Sequence, residues 1–235
     1  MRDLLRANFV DVWHADLERL GLGALRALDA LLPDRERGLA QAYNRLEQRH
    51  RFVAVRGLLR RTLAGYLGVE PRELVFELGE FGKPALQGVE LHFNISHSGA
   101  HLLIAVADFG AVGVDVEKVR AGRNLHALAG RCFSGREYRD WAALPADQQL
   151  PAFYRLWVKK EAFVKAVGRG IAAGLELCEF AVEPGGQIAA IPAEFGVVGD
   201  WSVAELQVDD ASAAAALVVP NKPYAFSYRK LDPGG

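Results

Sequence analysis

The chain has 235 residues, 51% of them hydrophobic and 24% charged, with a formal net charge of −1. That balance describes an ordinary globular protein with room for one large domain or two small ones, and it excludes a nucleic-acid binder that relies on a wholly basic surface, though not a local basic pocket. Cys132 and Cys178 lack the number and spacing of a disulfide framework or zinc site, Met1 to Asn8 hold no signal-peptide core, and no run is long enough to span a membrane, so a cytoplasmic protein is expected.

Phe9 to Leu17 reads as an opening strand, and Leu20 to Leu32 as a helix that stops at Pro33. A longer helical stretch follows from Arg35 to Leu67, broken near Tyr43-Asn44, with Gly68 as its terminator. Leu74 to Leu78 is a short strand, and Gly79 to Pro84 a loop by its Gly/Pro punctuation. Leu91, Phe93 and Ile95 alternate with His92, Asn94 and Ser96, which places the latter three on one polar face. His101 to Ala107 reads as a central strand and leads into a strand over Gly113–Val119.

Beyond a loop at Ala121-Gly122-Arg123 the spacing predicts a helix over Leu125–Cys132. Ser134 and Glu137 have capping-box spacing and start a helix through Trp141, and another covers Leu150–Val167 up to Gly168. Strands are expected over Leu175–Val182, Trp201–Val208, Ala213–Val219 and Tyr224–Tyr228, with a turn at Pro184-Gly185-Gly186. Each half thus runs strand, helices, strands, with Arg51–Leu63 and Phe153–Val167 in similar places. This favours a mixed α+β fold of two similar subdomains, 1–110 and 111–235, with a ligand cleft between them.

Two segments carry the chemistry. In the strand at Gly113-Val114-Asp115-Val116-Glu117 the valines point into a core while Asp115 and Glu117 share the other face. In the helix around Trp157, Glu161 and Lys165 lie four apart and project together. Either segment alone reads equally as a solvated edge or an ordinary surface ion pair. Together, three carboxylates and a lysine suit a hard cation bound to phosphate. Ser96, His97 and Ser98 at a strand end can be a capped turn or a set of phosphate donors, and Gly82-Lys83-Pro84 can be a plain turn. The arginines from Arg35 to Arg61 are mostly solvated surface, with a few able to grip phosphate. Gly-rich nucleotide loops and the nucleophile-elbow serine motif are missing from the sequence.

Five segments in this order resemble the 4′-phosphopantetheinyl transferases, in particular the larger Sfp-type class built from two similar halves. They are Phe81-Gly82-Lys83-Pro84, Phe93 to Ser98, Gly113 to Glu117, Phe133-Ser134-x-x-Glu137-Tyr138 and Trp157-x-x-Lys160-Glu161-Ala162-x-x-Lys165. The alanine after Lys160-Glu161 places the chain nearer the Trp/Lys-Glu-Ala subgroup, and Val158 departs from the small polar residue often found after the tryptophan.

The resemblance implies a pseudo-dimeric monomer that moves the 4′-phosphopantetheine arm of coenzyme A to a serine of an apo acyl or peptidyl carrier protein, releasing adenosine 3′,5′-bisphosphate. It assigns Asp115, Glu117 and Glu161 to magnesium, Lys165 to the pyrophosphate, Ser96 and His97 to phosphate, and Lys83 and Pro84 to the nucleotide. Arg51, and more weakly Arg35, fall near the 3′-phosphate, and Val119–Phe133 is a candidate docking segment for the carrier. The proton of the attacking serine goes to Glu161 or to a magnesium-bound water. Two rival readings stay open: a metal-dependent nucleotide pyrophosphohydrolase, and a non-catalytic coenzyme A- or carrier-binding protein.

Overall fold

The computed structural model describes residues 8–170, 174–208 and 212–232. Strand β1 (Phe9–Asp16) is followed by helices α1 (Leu22–Ala30), α2 (Asp34–Gln41) and α3 (Leu46–Leu67). A hairpin of β2 (Phe76–Leu78) and β3 (Pro84–Leu86) then precedes β4 (His92–Ser98) and β5 (His101–Ala107). The second half opens with β6 (Gly113–Lys118) and continues with α4 (Leu125–Cys132), α5 (Gly135–Ala142) and α6 (Ala146–Val167). It ends with a short pair, β7 (Glu179–Phe180) and β8 (Ile188–Ala190), and the strands β9 (Trp201–Leu206), β10 (Ala213–Pro220) and β11 (Ala225–Lys230). The fold is α+β.

The two halves share a plan. The first sheet has the order β11-β1-β5-β4 and the second β6-β10-β9, so β1-β5-β4 and β6-β10-β9 have matching antiparallel order. Each half also has a helix of 22 residues, α3 and α6, ended by a left-handed glycine, Gly68 at φ 67° and Gly168 at φ 76°. The C-terminal strand departs from a simple split between 1–110 and 111–235, because β11 pairs in parallel with β1 in the first half's sheet. Asp11 fixes that junction by accepting from Tyr66 Oη at 2.5 Å and Ser227 Oγ at 2.6 Å.

Apolar side chains stack these parts into layers. Val10, Val12 and Leu103 of the first sheet meet Val114, Val116 and Leu217 of the second in a common core. On the outer faces, Leu58, Leu59 and Leu63 of α3 cover the first sheet, and Ala162, Phe163 and Ala166 of α6 cover the second. Strands β4 and β6 lie side by side where the two sheets meet. Their contact is made by side chains: Asn94 Oδ1 accepts from Val114 N at 2.9 Å, Ser96 Oγ from Val116 N at 3.3 Å and Ser98 Oγ from Lys118 N at 3.1 Å. The three alternate residues of β4 thus stand in for main-chain carbonyls and satisfy the edge donors of β6.

Several expected elements differ. The run expected as a strand over Leu175–Val182 forms a 3-10 turn at Leu175–Leu177 and only a two-residue strand. Helix α6 starts at Ala146, before the expected Leu150, and carries Pro151 inside it, where the ring gives up one main-chain hydrogen bond of the helix.

The capping box at Ser134 and Glu137 forms and does more than start α5. Glu137 accepts from Ser134 N at 2.7 Å, Phe180 N at 2.8 Å and Lys160 Nζ at 2.5 Å, and Lys160 also donates to Cys178 O. Lys160 is fully buried and Glu137 only 2% exposed, so each charge depends on the other. Lys160→Met is therefore expected to cost about 3–5 kcal/mol of stability by urea unfolding, with part of it recovered in the Lys160→Met/Glu137→Gln double variant.

Candidate active site

Helix α6 lies directly on β6. A Cβ at Gly113 would stand 1.9 Å from Ala162 O and 2.5 Å from Ala166 N, so only glycine allows this approach. The close packing brings Lys165 onto the strand. Its Nζ lies 2.6 Å from Asp115 Oδ1 and 3.0 Å from Ser96 Oγ. Asp115 is 3% exposed and also accepts from Ser96 Oγ at 2.7 Å. One helical turn before Lys165, Glu161 is partly buried, and burial together with the Asp115 and Glu117 charges pushes its carboxyl up to about 7. Glu117 accepts from Ser98 Oγ at 2.6 Å.

Two buried oxygens here, Asp115 Oδ2 and Glu161 Oε1, have no hydrogen-bond partner. Unmatched carboxylate oxygens beside further acids are the donor chemistry of a hard divalent cation, so the residues fit one. Among the described residues, no three His, Cys, Asp or Glu side chains already form a metal cage, and Asp115 Oδ1 is engaged by Lys165 instead.

The other predicted site residues are placed as follows. Ser96 is 7% exposed, and its hydroxyl is committed to Asp115, Val116 N and Lys165. His97 lies on the opposite side of β4 and is exposed; desolvation, Arg51 and Lys165 hold its imidazole below the usual histidine range. Arg51 projects from α3 and donates to Gly99 O at 2.7 Å, which ties the helix to the β4–β5 turn. Lys83 donates to Val112 O at 2.9 Å and Ala166 O at 3.0 Å, joining the β2–β3 hairpin to both segments of the acid cluster. Burial pushes its amine down to about 8. Pro84 follows as the first residue of β3. Arg35 is exposed on α2, and no described hydrogen bond or ion pair ties it to the cluster.

A cavity of about 290 Å³ opens beside Glu117, lined by Ser98, Lys118, Arg123, Leu128, Phe153 and Trp157 among others. Arg123 and Leu128 fall in the expected docking segment. Sequence reasoning missed the contact of Ser98 with Glu117, although Ser98 continues the alternation of Asn94 and Ser96 that carries it.

Residues 111–218 match the family model of the 4′-phosphopantetheinyl transferase superfamily. The chain is 38% identical to the 4′-phosphopantetheinyl transferase HetI of Nostoc sp. over 91% of its own length and 89% of HetI. It is 36% identical to a 4′-phosphopantetheinyl transferase of Bacillus subtilis over 61% of this chain and 63% of that protein. It is 31% identical to Sfp of Bacillus subtilis strain 168 over 70% of this chain and 72% of Sfp.

The raised Glu161 carboxyl has a signature in metal-free protein. Between the ordinary value of 4.5 and about 7, the folded chain keeps a proton that the unfolded chain has lost, so stability falls as pH rises through that window. In EDTA, the melting temperature of Glu161→Gln minus that of the wild type should therefore grow from pH 5 to pH 7.5. A pH-independent difference would contradict the assigned environment.

Proposed function

The chain belongs to the 4′-phosphopantetheinyl transferase superfamily, and we propose that it transfers the 4′-phosphopantetheine arm of coenzyme A to a serine of an apo acyl or peptidyl carrier protein with a magnesium ion held by Asp115, Glu117 and Glu161. The observation that carries this reading is the pair of unpartnered buried oxygens on Asp115 and Glu161, set beside Lys165.

The serine Oγ of the carrier attacks the β-phosphorus of coenzyme A. The bond from that phosphorus to the bridging oxygen breaks, and adenosine 3′,5′-bisphosphate departs. Such a transfer depends on charge neutralisation and alignment more than on covalent catalysis. Magnesium would supply charge neutralisation at the pyrophosphate oxygens. Lys165 supplies a cation from α6 for the pyrophosphate and for the charge that grows on the leaving side. Glu161, or a water held beside it, takes the serine proton. His97 and Arg51, close enough in charge for Arg51 to act on the imidazole, hold phosphate groups of the nucleotide. Lys83 and Pro84, on the hairpin tied to Val112 and Ala166, face the nucleotide from the other end of β6. The cavity next to Glu117, with Lys118 and Arg123 at its rim and Phe153 and Trp157 below, suits an acidic helical partner that brings a serine to the acids.

Incubation with coenzyme A, magnesium and a panel of apo carriers should add one phosphopantetheine mass to the carrier serine. Asp115→Asn and Glu161→Ala should slow transfer by about 10²–10³-fold or more while thermal melts show a retained fold. Turnover of coenzyme A with no carrier present would instead establish a pyrophosphohydrolase. Binding of coenzyme A with no chemistry across the panel would establish a binding protein.

A further inference from the structure

We propose that Ser98 is the residue that positions Glu117 for the divalent cation, an inference that rests on the metal reading given above. Glu117 sits near the end of β6, is only partly buried, and has a flexible side chain. The described hydrogen bond to its carboxylate comes from Ser98 Oγ, at 2.6 Å to Oε2. Ser98 is itself fixed, because its oxygen accepts from Lys118 N at 3.1 Å. With that lone pair engaged, the single hydroxyl proton is directed at Glu117. Oε1 is left for a further partner.

The same arrangement recurs two residues earlier. Ser96 Oγ accepts from Val116 N at 3.3 Å and donates to Asp115 Oδ1 at 2.7 Å. The pairing of β4 with β6, at a constant offset of 20 residues, therefore sets both acids of the strand at once. Ser96 also touches Lys165, so its effect on the site is mixed. Ser98 makes no described contact with Lys165 and acts on the site through Glu117. A neutral hydroxyl suits this task better than a lysine or arginine would. It fixes the rotamer of the carboxylate without cancelling the negative charge that attracts the cation. Both residues line the cavity, so an ion arriving from solvent meets this pair.

The test uses manganese(II) as the probe. Ser98→Ala should weaken binding of manganese in the presence of coenzyme A and without carrier by about tenfold, read from the free-ion EPR signal. In transfer assays its deficit should shrink as manganese is raised, which a merely structural defect would not do. Ser98→Thr should restore wild-type affinity, and Ser98→Val, of the same shape without the hydroxyl, should behave as alanine does. The Thr/Val pair carries the decision if the alanine variant melts early. Equal manganese affinity in Ser98→Val and Ser98→Thr, with a wild type that responds to the metal, overturns the role of Ser98 alone. A wild type and a Glu117→Gln variant that bind manganese equally overturn the metal reading, and this proposal with it.

Discussion

The meeting of β4 and β6 governs the rest of the molecule. Two antiparallel sheets each present an edge strand there, and an edge strand has main-chain donors to satisfy. A continuous backbone ladder would merge the two sheets into one. Asn94, Ser96 and Ser98 prevent this by offering side-chain oxygens to the N–H groups of Val114, Val116 and Lys118. The sheets are thereby joined and yet held one side chain apart. The hydroxyl protons of the two serines are then free to turn toward Asp115 and Glu117. Structural satisfaction and the polar character of the site come from the same three residues.

Charges then gather on this seam at a cost that the fold contains locally. Asp115 and Glu161 bring oxygens into places where water is scarce, and Glu161 shows the strain by its reluctance to ionise. Lys165 offsets part of the repulsion by reaching Asp115. That contact is possible because Gly113 lets the helix rest on the strand. The buried Lys160–Glu137 pair, next along the helix, anchors α6 to α5 and β7, so Glu161 and Lys165 project toward the strand acids from a helix that is pinned on another face.

Much of this was legible in the sequence because it follows local periodicity. The alternation through Val112 to Glu117 predicts the buried valines, and the four-residue spacing predicts the shared face of Glu161 and Lys165. Gly68, Gly168 and the Ser134–Glu137 box mark helix ends by chemistry that needs no tertiary context. What escaped depends on distant partners. Lys83 is a plain loop lysine in sequence, and its acceptor Ala166 O lies 83 residues away. Ser96 reads as a phosphate donor or a turn cap, whereas its hydroxyl is taken up by β6 and Lys165, a fact fixed only by the way the sheets meet. The apolar run from Leu175 has strand-like alternation, yet a 3-10 turn buries Leu175 and Cys178 equally well.

The parallel placement of β11 beside β1 bears on how the chain assembles. Asp11 and Ser227, which hydrogen-bond across that pair, are separated by 216 residues. During synthesis the first half emerges with β1, β5 and β4 in hand but with the outer flank of β1 bare, and it stays so until the whole second half has been made. The first sheet is thus completed last, by the strand most remote from it in sequence. Such a closure ties the maturation of one half to the success of the other. A nascent chain halted in the second half would expose an open strand edge on β1, the kind of surface that invites pairing with other chains.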